Sequence, residues 1–166
     1  MRNAQEVIAA IHSARYTGHK VGLQNTRALL DALGLNCRVP AIHVAGTNGK
    51  GSVCAMLRSV LSAAGYRTGL YISPHLARMN ERMSIDGADI SDDEFAVSTQ
   101  ELAAAARGMA EPCTQFELTT ALALYWFAKK RCDIVVLETG LGGRLDATNA
   151  IGAPDCAVIT NIGLDH

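Results

Sequence analysis

No excess of either charge marks this sequence: 15 Lys and Arg stand against 16 Asp and Glu, for a formal net charge of -1. A basic face for nucleic acid or for an anionic membrane surface is therefore not expected. No uninterrupted apolar run approaches ~20 residues, so no membrane span is expected. The polar opening Met1-Arg2-Asn3-Ala4-Gln5-Glu6 argues against a secretory leader. Cys37, Cys54, Cys113, Cys132 and Cys156 never fall at C-x-x-C spacing. That lack removes the common zinc and redox motifs and reads as free thiols in a reducing cytosol. Neither G-x-S-x-G nor H-E-x-x-H occurs. Gly140-Leu141-Gly142-Gly143 lacks the spacing of a dinucleotide fingerprint. Internal repeats and low-complexity tracts are absent as well.

What is present is a globular composition, 49% apolar and 19% charged over 166 residues, enough for one domain with a real core. Val7, Ile8 and Ile11 predict a first helix, followed by a loop through Thr17 to Gly22. A second helix carries Leu29, Leu30 and Leu33, with Asn25 or Thr26 as its expected cap and Gly34 at its end. Ala41–Ala45 is a short apolar run between Pro40 and Gly46 and predicts a buried strand. The next helix has Val53, Met56, Leu57, Val60 and Leu61 as its expected inward stripe and stops at Gly65. Strand Gly69–Ile72 completes a strand-helix-strand unit, so the fold class is α/β with a mostly parallel sheet flanked by helices. A hairpin turning at Asp86-Gly87 follows, then a helix capped by Ser91 with Glu94 in capping-box position. A further helix is expected over Phe116–Lys130, with strands over Asp133–Glu138 and Cys156–Thr160.

Three segments carry chemistry. Gly46-Thr47-Asn48-Gly49-Lys50-Gly51-Ser52 lies between a strand and a helix. There, glycines turn backbone N–H groups toward an anion and the helix N-terminus adds partial positive charge. Lys50 would reach the phosphates and Ser52 would supply a hydroxyl. The strict P-loop expression fails twice, since Val44 stands where its first glycine belongs and Gly51 separates Lys50 from Ser52. A glycine-rich turn with an exposed lysine is the competing reading. Glu138, at the end of a buried strand, is placed for Mg²⁺ or is simply a solvated strand-end carboxylate. After the last strand, Asp165 or His166 could face the same edge, although a lone histidine is more often structural or solvated. His43 reads as a packed core histidine.

The run His43 to Ser52 resembles the signature of the folylpolyglutamate synthase and dihydrofolate synthase family, within the Mur ligase superfamily. In that family the glycine after the lysine is normal. Glu138 to Asn149 is similar to its second signature. Gly22-Leu23, Tyr71 to Leu76, Asn80-Glu81-Arg82, Phe116-Glu117 and Leu164-Asp165-His166 fall in the family's order. The resemblance implies a Mur ligase-like central ATPase fold, incomplete at the C-terminus, and an ATP-dependent amide ligase. In it, ATP phosphorylates a folate carboxylate and the acyl phosphate is attacked by L-glutamate. It further implies that Thr47, Asn48, Gly49, Lys50, Gly51 and Ser52 hold ATP, and that Ser73, Glu138 and His166 hold Mg²⁺. Lys50, Glu138 and His166 would serve catalysis. Gly22, Leu23, Gln115, Phe116 and Glu117 would line the folate site.

The family's ATPase domain continues past the position of His166 and is followed by a glutamate-binding domain. Residues 1–166 are thus expected to be the N-terminal part of the ATP-binding domain, inactive alone. Expected partners are a folate (dihydropteroate or tetrahydrofolate) and L-glutamate, in a cytoplasmic and monomeric enzyme without nucleic acid or membrane. A non-catalytic nucleotide-binding remnant and a ligase of cell-wall precursors are the alternatives. Lys50-Gly51-Ser52 speaks against the latter, which usually carries Ser or Thr directly after the lysine.

Overall fold

The computed structural model describes residues 22–35 and 39–164. The expected first helix, the loop before Gly22, Cys37, Asp165 and His166 lie outside them. Helix α1 is Gln24–Ala32, strand β1 Ala41–Ala45, helix α2 Lys50–Ala63 and strand β2 Thr68–Tyr71. Strands β3 (Met83–Ile85) and β4 (Ala88–Asp89) form the hairpin, and helices α3 (Asp92–Ala106) and α4 (Gln115–Lys129) follow. Strands β5 (Ile134–Glu138) and β6 (Cys156–Ile159) complete the sheet, with a 3-10 turn at Ala147–Ile151 between them.

The six strands run in the order β4-β3-β2-β5-β1-β6. β2, β5, β1 and β6 are parallel, and β3 and β4 are antiparallel additions at one edge. β1 and β2, joined through α2, are therefore not neighbours, because β5 inserts between them. The hairpin turns where the sequence predicts, with Asp86 at φ 51° and Gly87 at φ 89°. Two successive left-handed residues give the turn whose twist matches that of the flanking strands.

Side chains alternate across the sheet, as the period of a strand requires. Tyr71, Val135 and Leu137 point to the face covered by α1, α3 and α4, and pack with Leu29, Phe95, Leu122 and Phe127. Leu70, Val136 and Val44 point to the other face, where Cys54, Val53, Leu57 and Leu61 of α2 meet them. The result is three layers, with α4 central. Nine of its residues are buried, Glu117, Thr119 and Thr120 among them, so it is enclosed on most sides.

Two sequence expectations are corrected. α1 starts one residue after Leu23, whose side chain makes no cap hydrogen bond. Asn25 and Thr26 lie inside the helix, and Thr26 is fully buried. On α2, Met56 and Val60 are 60% and 67% exposed. The helix rests on the sheet through Val53, Cys54, Leu57 and Leu61, because a full-width apolar stripe is wider than the strip of sheet it covers.

Candidate functional site

Parallel register brings four strand ends to one edge. Val44 pairs with Glu138, Tyr71 with Leu137, and Ala45 with Ile159. The segments that follow, Gly46–Lys50, Ser73, Thr139 and Thr160–Gly163, therefore emerge side by side. Open parallel sheets bind their ligands at this carboxyl edge.

The helices differ in how their N-termini are closed. Ser91 Oγ accepts from the Glu94 N–H at the start of α3, which also carries Asp92, Asp93 and Glu94 in its first turn. Thr114 and Glu117 form a reciprocal capping box on α4, in which Glu117 Oε2 accepts the Thr114 N–H at 2.7 Å. α2, at the carboxyl edge, has no such closure. Its cap position is Gly49, at φ 83°, with no side-chain cap and no acid in the first turn. Its orphan N–H groups and partial positive charge stay available to an anion.

Lys50 stands at that opening. Its Nζ donates to Gly46 O at 2.7 Å and Thr47 O at 3.0 Å, so the ammonium lies folded across its own loop. Glu138 faces it. The carboxylate is 6% exposed and accepts the Ser73 N–H at 3.1 Å. Burial raises its pKa above the ordinary carboxylate range, against the opposing effects of the Ser73 N–H and the Lys50 charge. Both Glu138 oxygens lie 3.7 Å from where a Cβ on Gly51 would be. Glu138 thus sits against the first turn of α2 with one hydrogen bond from the described residues, a desolvated hard-oxygen donor beside a serine. That donor set fits Mg²⁺, which takes oxygen ligands and would relieve the cost of burying the charge. Among the described residues no three His, Cys, Asp or Glu side chains form a metal cluster.

The structure therefore joins Gly49, Lys50, Gly51, Ser73 and Glu138, with exposed Ser52 in the same helical turn. Thr47 and Asn48 are held to the segment after β6. The Thr47 N–H donates to Asn161 O at 2.8 Å and the Asn48 N–H to Asn161 Oδ1 at 2.9 Å. Thr47 Oγ1 accepts the Gly163 N–H at 3.0 Å, and Thr160 Oγ1 donates to Asn48 O at 2.7 Å. Sequence reasoning missed Thr160 and Asn161 as the clamp on this loop. The signal was an amide side chain directly after a strand.

Of the candidate folate residues, Phe116 lies against the loop after β5. A Cβ on Gly140 would meet its Cζ at 2.4 Å. Glu117 is buried and engaged in the α4 cap. Gln115 opens α4, and Gly22 and Leu23 lead into α1. His166 falls outside the described residues. His43 is buried, as expected, but its contacts are polar: Nε2 is 2.7 Å from Thr148 Oγ1 and 2.9 Å from Thr139 Oγ1. No described helix is long and apolar enough to cross a membrane.

A model of the Mur ligase middle domain matches residues 44–166. The dihydrofolate synthase/folylpolyglutamate synthase of Bacillus subtilis is 41% identical over 169 aligned residues, spanning 98% of this chain and 39% of that protein. Escherichia coli FolC in complex with DHPP and ADP superposes with a TM-score of 0.91 at 40% identity, over 99% of this chain and 39% of the other. A bifunctional folylpolyglutamate synthase/dihydrofolate synthase with Mn, AMPPNP and L-glutamate bound gives 0.89 at 40% identity, over all of this chain and 40% of the other. The chain spans about two fifths of the length of these relatives.

Proposed function

Because the chain belongs to the Mur ligase middle-domain family, we propose that it carries the nucleotide site of an ATP-dependent ligase that joins L-glutamate to a folate. One observation carries this reading: an uncapped α2 N-terminus, Lys50 and a buried Glu138 meet at one sheet edge. The ligands seen in the relatives, ADP, AMPPNP, Mn and L-glutamate, support it.

In the proposed reaction a folate carboxylate oxygen attacks the γ-phosphorus of ATP, and the bond to the β–γ bridging oxygen breaks, leaving ADP. The amino group of glutamate then attacks the acyl carbon, phosphate leaves, and the nitrogen loses a proton. The protein needs no nucleophile. Its part is positioning and charge neutralisation. Lys50 leaves the Gly46 and Thr47 carbonyls for the phosphate oxygens, and the N–H groups of the first α2 turn receive the rest of the negative charge. Glu138, Ser73 and, outside the described residues, His166 would hold Mg²⁺. When bound, the ion supplies charge stabilisation across the phosphate oxygens. Gly22, Leu23, Gln115, Phe116 and Glu117 remain the proposed folate contacts, with dihydropteroate or tetrahydrofolate as acceptor. Cytoplasmic residence and a monomeric enzyme belong to the same proposal. The test is ADP release by the protein isolated from its source cells, given MgATP. Dependence on both folate and glutamate is expected, and ADP release indifferent to both refutes the reading.

A further inference from the structure

Behind the sheet edge a buried polar chain links the strand that carries the phosphate loop to the loop that follows Glu138. It begins at His43 in β1, three residues before Gly46, where the side chain is 7% exposed. Its Nε2 meets Thr139 Oγ1 at 2.9 Å and Thr148 Oγ1 at 2.7 Å. Thr148 Oγ1 donates to Asp146 Oδ1, which also accepts the Thr148 N–H at 3.0 Å. Asp146 Oδ2 accepts the Leu141 N–H at 2.8 Å, which closes the loop from residue 141 to 146. Thr139, Thr148 and Asp146 are all buried.

Proton counting at Thr148 assigns a direction to this chain. Thr148 has one hydroxyl proton, and the carboxylate of Asp146 takes it. Toward His43 the same oxygen offers only a lone pair, so the Thr148 contact is a hydrogen bond when Nε2 carries the hydrogen, which Thr139 Oγ1 then also accepts. In the neutral ring that leaves Nδ1 bare. Burial holds the His43 pKa below its ordinary value, against the pull of Asp146, which keeps the ring neutral around pH 7.

We propose that His43 is a positioning residue of this site: its Nε2–H holds Thr148 and, through it, Asp146, so that the 139–146 loop keeps one shape beside Glu138 and Phe116. The inference rests on the ligase reading for its kinetic consequence but not for its geometry. The loop's near end lies on the Phe116 side, since Gly140 packs under that ring. Losing the relay therefore acts on the folate acceptor more than on ATP, which is held by α2.

Three measurements test it. Nitrogen NMR of histidine-labelled chain should show His43 as the Nε2–H tautomer, and an Nδ1–H tautomer overturns the proposal. Amide exchange at Leu141 should be slow in the native protein and in His43→Gln, which keeps an N–H near the ε position, and fast in His43→Leu. Equal protection in both variants overturns it. In the protein isolated from its source cells, His43→Leu should raise the KM for the folate acceptor about tenfold, the size set by one buried hydrogen bond. The KM for ATP should stay within about twofold, with most of the loss recovered by His43→Gln. Equal shifts in both KM values mean a merely structural residue and overturn it. If His43→Leu does not fold, Thr148→Val breaks the relay one step later and must give the same split. Absence of any folate-dependent turnover would refute the ligase reading alone, leaving tautomer and exchange to decide the role of His43.

Discussion

The Ser73 N–H donates to the Glu138 carboxylate at 3.1 Å, tying the segment after β2 to the end of β5. These residues are 65 apart in sequence and meet only because their strands are parallel neighbours. In the protein isolated from its source cells, Glu138→Ala should weaken Mg²⁺ binding, read as a right-shifted magnesium titration of the proposed ligase activity. An unchanged titration removes Glu138 from the proposed metal site. Because burial disfavours the charge, Glu138→Gln should also raise the melting temperature of the metal-free protein at neutral pH.

Lys50 is the only side chain among the described residues that donates to the carbonyls of Gly46 and Thr47. In the protein isolated from its source cells, Lys50→Ala should lower the proposed ligase turnover by about a hundredfold or more, the range for losing one preorganised charge-stabilising donor. Melting temperature should change little, since these bonds lie at the partly buried loop surface. Retained turnover would separate the loop from phosphate transfer.

Gly46 has φ 132°, and a Cβ there would stand 2.1 Å from Thr160 Oγ1 and 2.8 Å from Asn161 O. Gly46→Ala should cost on the order of 2 kcal/mol or more, because a left-handed backbone and a backbone clash add. Denaturant unfolding measures it. A cost within experimental error would mean that the clamp from Thr160 and Asn161 is loose.

Much of this framework is legible in the residues. The apolar run Ala41–Ala45 is β1 with those bounds, and Asp86-Gly87 makes the hairpin turn. Both depend on local chemistry: an alternating or continuous apolar run between breakers, and a dipeptide tolerant of positive φ. The Thr114 cap is local too, since Glu117 three residues later completes its box. The exposure of Met56 and Val60 depends on how much sheet α2 covers, and the grip of Asn161 on Thr47 and Asn48 depends on β6 lying beside β1. Neither is a property of a local window. Glu138, by contrast, was legible as a strand-end acid, since polarity at the end of a buried run is itself local.

Phe116 and Gly140 give a test of the loop beside the site. Gly140→Ala should cost roughly 1–3 kcal/mol through overpacking against the Phe116 ring. In the Phe116→Ala background the same change should cost much less. Additive costs would place the ring elsewhere in solution.

Glu81 accepts the N–H groups of Leu76 at 2.7 Å, Arg78 at 2.9 Å and Ala77 at 3.1 Å. The Leu76 and Arg78 bonds are the main reason its pKa lies below the ordinary carboxylate value. The native state then binds its proton less readily than the unfolded chain, so the clamp contributes fully above the ordinary value and is lost as pH falls through the depressed one. The amide resonances of 76–78 should titrate together in that acid range, and in Glu81→Gln they should not. Separate titrations would dissolve the clamp.

The hold of Asn161 on Asn48 spans 113 residues of chain. A contact of that range forms only after most of the intervening chain is ordered, when the entropy of closing so long a loop has been met by the core. The Gly46–Ser52 loop therefore has its full set of contacts only once β6 lies beside β1. A growing chain that has completed β1 and α2 owns every residue of the Gly46–Ser52 motif but not its shape. A nucleotide that needs that shape can draw the folding equilibrium forward only at its last stage.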